Sequence, residues 1–306
     1  MKTFLSFLFI VYLGSLSAQG LNIEVSRQVS LLREGQSSVF YGTLDSYMKK
    51  NPTVVLDVLS PYRTDDKSEI RKWVYGQYSR ILDLFDSPLS MRQDIVLLIV
   101  DGISDSDPLI RENCVDYLIE CSRKDFSSQA TDLFCTIFNS KSWFSKDLVL
   151  LAGFIGNDEC QKTLEELSIT SRKLLWHIKL ALSRMGDLDA ESWCLSQIER
   201  IGINDDVTFD LLPGLVYTHQ KRSFDFLVSI LNSDEKLCSS SNPDYDGSIL
   251  CGYRVMEYLA PVVKGFPLKL LPSGDIDTND YHKALLTVRK WFIQRDGEFE
   301  ILSERF

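Results

Sequence analysis

The sequence predicts an all-α protein, an α-solenoid of stacked antiparallel helix pairs. Two observations carry this. Within 151–198 one unit recurs after thirty residues: Gly156-Asn157-Asp158-Glu159-Cys160 falls on Gly186-Asp187-Leu188-Asp189-Ala190. An apolar helix end precedes each Gly (Phe154-Ile155, then Met185), and a second apolar helix follows each. A weaker third copy, thirty-three residues on, puts Ser223 in the small-residue place of Cys160 and Ala190. A period of this size marks stacked helical hairpins. The second observation is that apolar residues elsewhere recur at helical spacing, in stripes wide enough to pack on neighbours.

Residues 1–20, the first element, read as a secretory signal peptide: Lys2 precedes an apolar run from Phe4 to Leu13, then come Gly14, Ser15, Ser17 and Ala18. Cleavage fits after Ala18 or after Gly20. An uncleaved anchor is the alternative, but the run is about half the ~20 residues needed to span a bilayer. Residues 21–34 carry little pattern and read as a lead-in. Repeats are expected over 35–231. A helix over 36–50 would turn Val39, Phe40, Leu44 and Met48 inward. Pro52 starts the next at its first turn, and Pro61 stops it. Asp65-Asp66 opens a helix whose stripe is Ile70, Trp73, Val74, Tyr78, Ile81, Leu82 and Phe85, ending before Pro88.

Ile95 to Val100 is continuously apolar and alone could be a buried strand. Its place between helical units favours a helix buried on both sides. Ile110, Cys114, Leu118 and Cys121 recur at helical spacing, and further helices are expected at 126–138 and 148–155. Leu174, Leu175, Ile178, Ala181, Leu182 and Met185 form the cleanest stripe. Helices near 189–200, 206–217 and 222–231 continue the series. Residues 232–251 form a polar loop rich in Ser, Asn, Asp and Pro. Capping helices occupy 252–306, at 253–262 and, after several N-cap residues, at 280–294 with Leu285, Val288 and Phe292 inward.

The repeated unit resembles HEAT-like repeats of the phycobilisome-lyase-type, armadillo-like helical family. In that family a helix ends at Gly-Asp or Gly-Asn, an acidic turn comes next, and a small residue opens the following helix. Gly156-Asn157 and Gly186-Asp187 match. A second hallmark is an Asp-Pro turn with an Arg three residues after the Pro, matched by Asp107-Pro108-Leu109-Ile110-Arg111. The resemblance covers about 101–231, with weaker periodicity over 35–295. It implies a helical-repeat fold used chiefly as an interaction surface, enzymes being a minority.

The chain of 306 residues has a formal charge of −10. Loss of Lys2 with the signal makes it one unit more negative. That balance disfavours nucleic acid, which needs a basic footprint, and anionic membrane surfaces. No later segment is long and charge-free enough for an integral membrane span. The length allows one solenoid or two ordinary domains; no Pro/Gly/Ser linker separates two halves, which favours one.

Seven Cys cannot all pair. Cys114, Cys121, Cys135, Cys160 and Cys194 lie on apolar helical faces or at small packing positions and read as buried free thiols. Cys238 and Cys251 bracket the polar loop in a chain expected to be exported. They are the expected disulfide, worth about 3 kcal/mol on the chain-entropy model, with two unpaired thiols as the alternative. Inside the loop, Asn242-Pro243-Asp244-Tyr245-Asp246-Gly247-Ser248-Ile249 has the oxygen spacing of a calcium loop. Tyr253 falls where the bidentate Glu belongs, so an ordinary Asp/Gly turn is the better reading. His177, His219 and His282 have no His or Cys at metal-ligand spacing. His177, one residue off a core stripe, reads as half-buried and structural. The chain has no His-Glu dipeptide, no G-x-S-x-G, no P-loop and no G-x-G-x-x-G. Ser46-Tyr47-Met48-Lys49 matches S-x-x-K without its companion motifs. No catalytic residue, metal ligand or cofactor is therefore assigned. The recurrent turn carboxylates Asp101, Asp105, Asp107, Asp187, Asp189, Asp205 and Asp206 are first of all helix caps. Second, they could form an acidic ridge that attracts basic partners.

The function expected is an exported, periplasmic or secreted, non-catalytic protein-binding or scaffolding module that holds a partner protein along its inner helices. The alternative is an envelope enzyme on a helical scaffold with its site near the 232–251 loop.

Overall fold

The computed structural model of the chain describes residues 19–36, 41–84, 87–140, 143–240, 246–302 and 304–306. Most of them are helical, and neighbouring helices pack on one another. The chain divides into two compact units, Met1–Ile137 and Phe138–Phe306. The boundary falls inside a helix rather than at a linker. Most of the expected signal peptide, with Val39, Phe40, Phe85 and Asn242 to Tyr245, lies outside the described residues.

In the first unit, α1 covers 19–33. This corrects the patternless lead-in expected there: Leu21, Val25 and Val29, four apart, are buried along one face. Next come α2 (Asp45–Lys50), α3 (Pro52–Leu59), α4 (Ser68–Leu84), α5 (Leu89–Gly102), α6 (Pro108–Ile119) and α7 (Ser128–Asn139). Pro52 opens α3 as expected, but Pro61 does not stop the chain turning. It sits in the first turn of a 3₁₀ segment, Ser60–Thr64, where its missing N–H costs nothing. The apolar run in α5 is helical, with Ile95, Val96, Ile99 and Val100 fully buried. Helix α4 packs on α2, α5 and α6.

The second unit continues with α8 (Lys146–Ile155), α9 (Asp158–Thr170), α10 (Leu175–Arg184), α11 (Leu188–Ile201), α12 (Leu212–Thr218), α13 (Lys221–Asn232), α14 (Gly252–Leu259) and α15 (Tyr281–Gln294). The helix expected at 206–217 is broken. A π-turn over Val207–Leu211 precedes α12, because Pro213 has no N–H to continue a ladder and takes the first turn of a new helix. Several helices also meet the next but one: α8 packs on α10, α10 on α12 and α12 on α14, while α11 packs on α13 and α13 on α15. Ile178, Ala181 and Leu182 are buried at the centre of α10 as the stripe predicts, while Leu174, Leu175 and Met185 are only partly covered.

The repeat register is visible in the backbone. Gly156 ends α8 at φ 55° and Gly186 follows α10 at φ 97°, a left-handed position that glycine adopts without a Cβ penalty. In the third copy that place is held by His219, at φ 53°. Asn157 and Asp187 then cap α9 and α11 through their side chains, Asp187 accepting from the N–H groups of Asp189 and Ala190 at 2.9 Å.

The expected polar loop is not bare of structure. Two short strands, β1 (Cys238–Ser239) and β2 (Ser248–Ile249), pair antiparallel within it.

Candidate functional site

Cys238 and Cys251 are joined across this hairpin, with Cα atoms 5.2 Å apart. A second tie was not foreseen. The Asp205 carboxylate accepts the Ser239 N–H at 2.8 Å and also the Ser239 hydroxyl. These bonds, the hydroxyl's first, hold the Asp205 pKa below the usual carboxylate value. Asp205 is thus a loop anchor, and the capping role falls to its neighbour Asn204, which accepts from Val207 N.

The other cysteines correct the sequence reading in part. Cys114, Cys121 and Cys194 are free and buried, and desolvation pushes the Cys121 and Cys194 thiols up to about 12. Cys135 and Cys160 are disulfide-bonded, not free thiols. Their apolar, small-residue positions suit a buried thiol and a buried bridge equally, which is why sequence could not separate the two.

Most carboxylates of the expected acidic ridge have individual partners in the described structure. In the first unit Asp105 accepts two bonds from the Arg71 guanidinium, at 2.8 and 2.7 Å, and is almost fully buried. Burial pushes its pKa up, but Arg71 and the Asp107 N–H more than offset that and hold it below the ordinary range. Asp107 caps α6 through Leu109 N at 2.9 Å. Asp101 lies 3.4 Å from Arg63. In the second unit Asp187 is the cap described above, while Asp189 and Asp206 are exposed. Arg111, three residues after Pro108, donates back to the carbonyls of Asp105 and Ser106 at 3.0 Å, and Arg71 does the same to Asp65 and Asp66. The Arg therefore fastens its own turn, a role equivalent in α4 and α6.

Sequence reasoning missed a surface on the second unit. Phe154, Arg184 and Tyr217 each stand two residues before the left-handed position of their repeat, at the C-terminal ends of α8, α10 and α12. The guanidinium of Arg184 lies over both rings, 4.9 Å from the Phe154 centroid and 4.8 Å from that of Tyr217. Arg184 also donates to the Tyr217 carbonyl, and the Tyr217 hydroxyl donates to the Leu150 carbonyl. Gly153 lets this row close up: a Cβ there would fall 2.6 Å from both Ala181 Cα and the Tyr217 hydroxyl.

Residues after α15 return across this row. Asp296 and Gly297 turn the chain with positive φ. Phe299 packs against Phe224 and Phe292, and Ile301 bridges Val263. Lys264 N donates to the Glu300 carbonyl at 3.0 Å, and Leu302 N to that of Val262 at 2.8 Å. Arg184 then donates to the Arg305 carbonyl at 2.7 Å, and the Phe306 ring sits 5.7 Å from Phe154 and 5.2 Å from Tyr217. The only sequence signal for this was two Phe, 299 and 306, in an otherwise largely polar stretch.

Near the 232–251 loop, the Tyr253 hydroxyl lies 3.3 Å from His282 Nδ1, and Tyr281 donates to Glu257 at 2.8 Å. Tyr281 and His282 are exposed, so among the described residues these groups are open to water. In the first unit a cleft of about 290 Å³ is lined by Ser87, Leu89, Arg92, Ser122 and Lys124. Its guanidinium is already paired with buried Asp125, at 2.9 and 2.8 Å. Among the described residues no group of three His, Cys, Asp or Glu could hold a metal ion, and no helix is long and apolar enough to cross a membrane. Comparison with protein-family models, curated proteins and solved structures finds no match for this chain.

Proposed function

We propose that the chain is an exported α-solenoid of HEAT-like repeats that acts as a non-catalytic protein-binding or scaffolding module. The repeated register supports the solenoid: helices meet the next but one within the second unit, and left-handed turn positions recur after thirty and thirty-three residues. Side-chain ties recur at a similar separation, Arg71 to Asp105 and Ser223 to Glu191 among them. Export to the periplasm or the outside is supported by the signal-like N-terminus and by disulfide bonds, which persist in oxidising compartments.

One observation carries the binding role: a row of side chains at equivalent positions of three alternate helices, α8, α10 and α12, holds a segment by its backbone and one aromatic ring. Solenoids bind along such rows. The rival, an enzyme sited near the polar loop, would have to work with Tyr253, His282, Tyr281 and Glu257 at an open surface.

Cross-linking mass spectrometry of immobilised mature protein with an envelope fraction tests the reading. Cross-links from a partner should cluster at the C-terminal ends of α8, α10 and α12. Partner cross-links scattered over both units, or confined to the 232–251 hairpin, would contradict it.

A further inference from the structure

Among the described residues the return segment is anchored by two rings, Phe299 against Phe224 and Phe292 and Phe306 on the row, while the chain around them is exposed. Among the described residues its backbone bonds to Val262 and Lys264 and accepts from Arg184. The Lys264–Glu300 pair is 62 % exposed on both sides and so adds little. Leu302 is 42 % exposed, and Glu304 and Arg305 point to solvent. The surface beneath is different. Phe154 and Tyr217 are buried beneath the Phe306 ring, and Arg184 lies over both of their rings and donates to a main-chain carbonyl of the segment. The firm half of this contact is the row, and the loose half is the segment.

The row also reads its occupant by generic features. Arg184 can donate to any peptide carbonyl, since it touches the Arg305 main chain rather than its side chain. The Phe154–Tyr217 gap takes an aromatic ring edge-on or tilted. The Val262–Lys264 edge pairs with an extended backbone, the usual mode of strand addition.

We propose that this row is a peptide-recognition site, that the return segment 299–306 occupies it in cis as a displaceable substitute, and that its partner is an extended protein segment carrying an aromatic side chain. The proposal rests on the binding-module reading and adds the chemistry of what is bound. A tethered segment works at an effective concentration of about 1 mM, so it masks the row from dilute competitors. Removing its anchoring ring weakens the cis contact by roughly 10-fold to 100-fold, the cost of one well-placed aromatic.

The test is fluorescence anisotropy with a labelled, C-terminally amidated peptide of sequence 297–306. The full chain and its Phe306→Ala variant are compared, both checked for unchanged helical circular dichroism. The variant should bind the peptide at least about 10-fold more tightly than the unaltered chain. The same peptide with its own Phe306→Ala change should bind the variant at least about 10-fold more weakly. Equal affinity of the two chains, no binding by either, or indifference to the peptide's Phe would each overturn the proposal. Should the variant not fold, the peptide is titrated to millimolar concentration against the unaltered chain. Release of residues 299–306 in backbone hydrogen exchange supports the proposal, and its absence overturns it. Peptide binding without partner cross-links at α8, α10 and α12 would leave the site standing and remove the scaffold reading; the reverse outcome would do the opposite.

Discussion

His219 departs from the pattern of its repeat, and the departure couples stability to pH. Its equivalents are Gly156 and Gly186, which take the left-handed turn at no cost; a non-glycine residue there costs about 1 kcal/mol. The ring is kept half-buried against Phe224, with Nδ1 unpaired. Burial first, then the nearby Arg184 charge, pushes its pKa down from 6.5 to about 3. The folded chain therefore resists protonation while the unfolded chain does not. This residue's contribution to stability is complete above pH 6.5 and is lost as pH falls toward 3. The slope is at most about 1.4 kcal/mol per pH unit, less after solvent screening. His177, also lowered by burial, adds to the same trend. Denaturant melts between pH 6.5 and 4.5 should thus show falling stability. His219→Asn, which tolerates the turn and does not titrate, should flatten that slope, and an unchanged slope would refute the assignment.

At the scale of elements, the packing of α8 on α10 depends on Gly153. A methyl group there would have to displace the Ala181 backbone and the Tyr217 hydroxyl together, neither of which is a flexible chain end. Gly153→Ala should cost about 1–3 kcal/mol by overpacking, read as a lowered urea midpoint at constant slope. A neutral result would mean that the two helices do not approach this closely. What was legible at this scale was whatever rests on periodicity. The α4 and α10 stripes and the recurring Gly-Asn and Gly-Asp turns come from spacing, and the helical nature of 95–100 from its place between helical units. Helix α1 was missed because Leu21, Val25 and Val29 are too sparse among polar residues to count as a stripe. The break before α12 was missed because Pro213 fits a helix's first turn as well as a helix's end. The Asp105–Arg71 and Asp205–Ser239 ties join residues thirty-four apart, which no local pattern reveals.

At the scale of the whole molecule, thiol chemistry separates the sequence reading from the structure. Sequence alone leaves five free cysteines; the structure leaves Cys114, Cys121 and Cys194. All three are buried with raised pKa values, so they should resist alkylation in the native state. Denatured, unreduced protein should yield three thiol equivalents, rising to seven after reduction. Five equivalents before reduction would show that Cys135 and Cys160 are not bridged. The return segment was illegible for a related reason: its partners, Phe154, Arg184 and Tyr217, are brought together only by the stacking of three helices, some ninety to one hundred and fifty residues earlier in the chain.

If the ends of α8, α10 and α12 form a surface for a protein partner, photo-cross-linking from within that surface detects it most directly. Benzoylphenylalanine is placed at Lys264, which is exposed on the edge that pairs with the return segment and stays in place when that segment leaves, and in a second chain at Phe209, which is 49 % exposed outside it. Irradiated with an envelope fraction, the first chain should give a discrete protein adduct that excess 297–306 peptide abolishes, and the second should not. Adducts of equal yield from both positions, or an adduct at Lys264 indifferent to the peptide, would contradict the account.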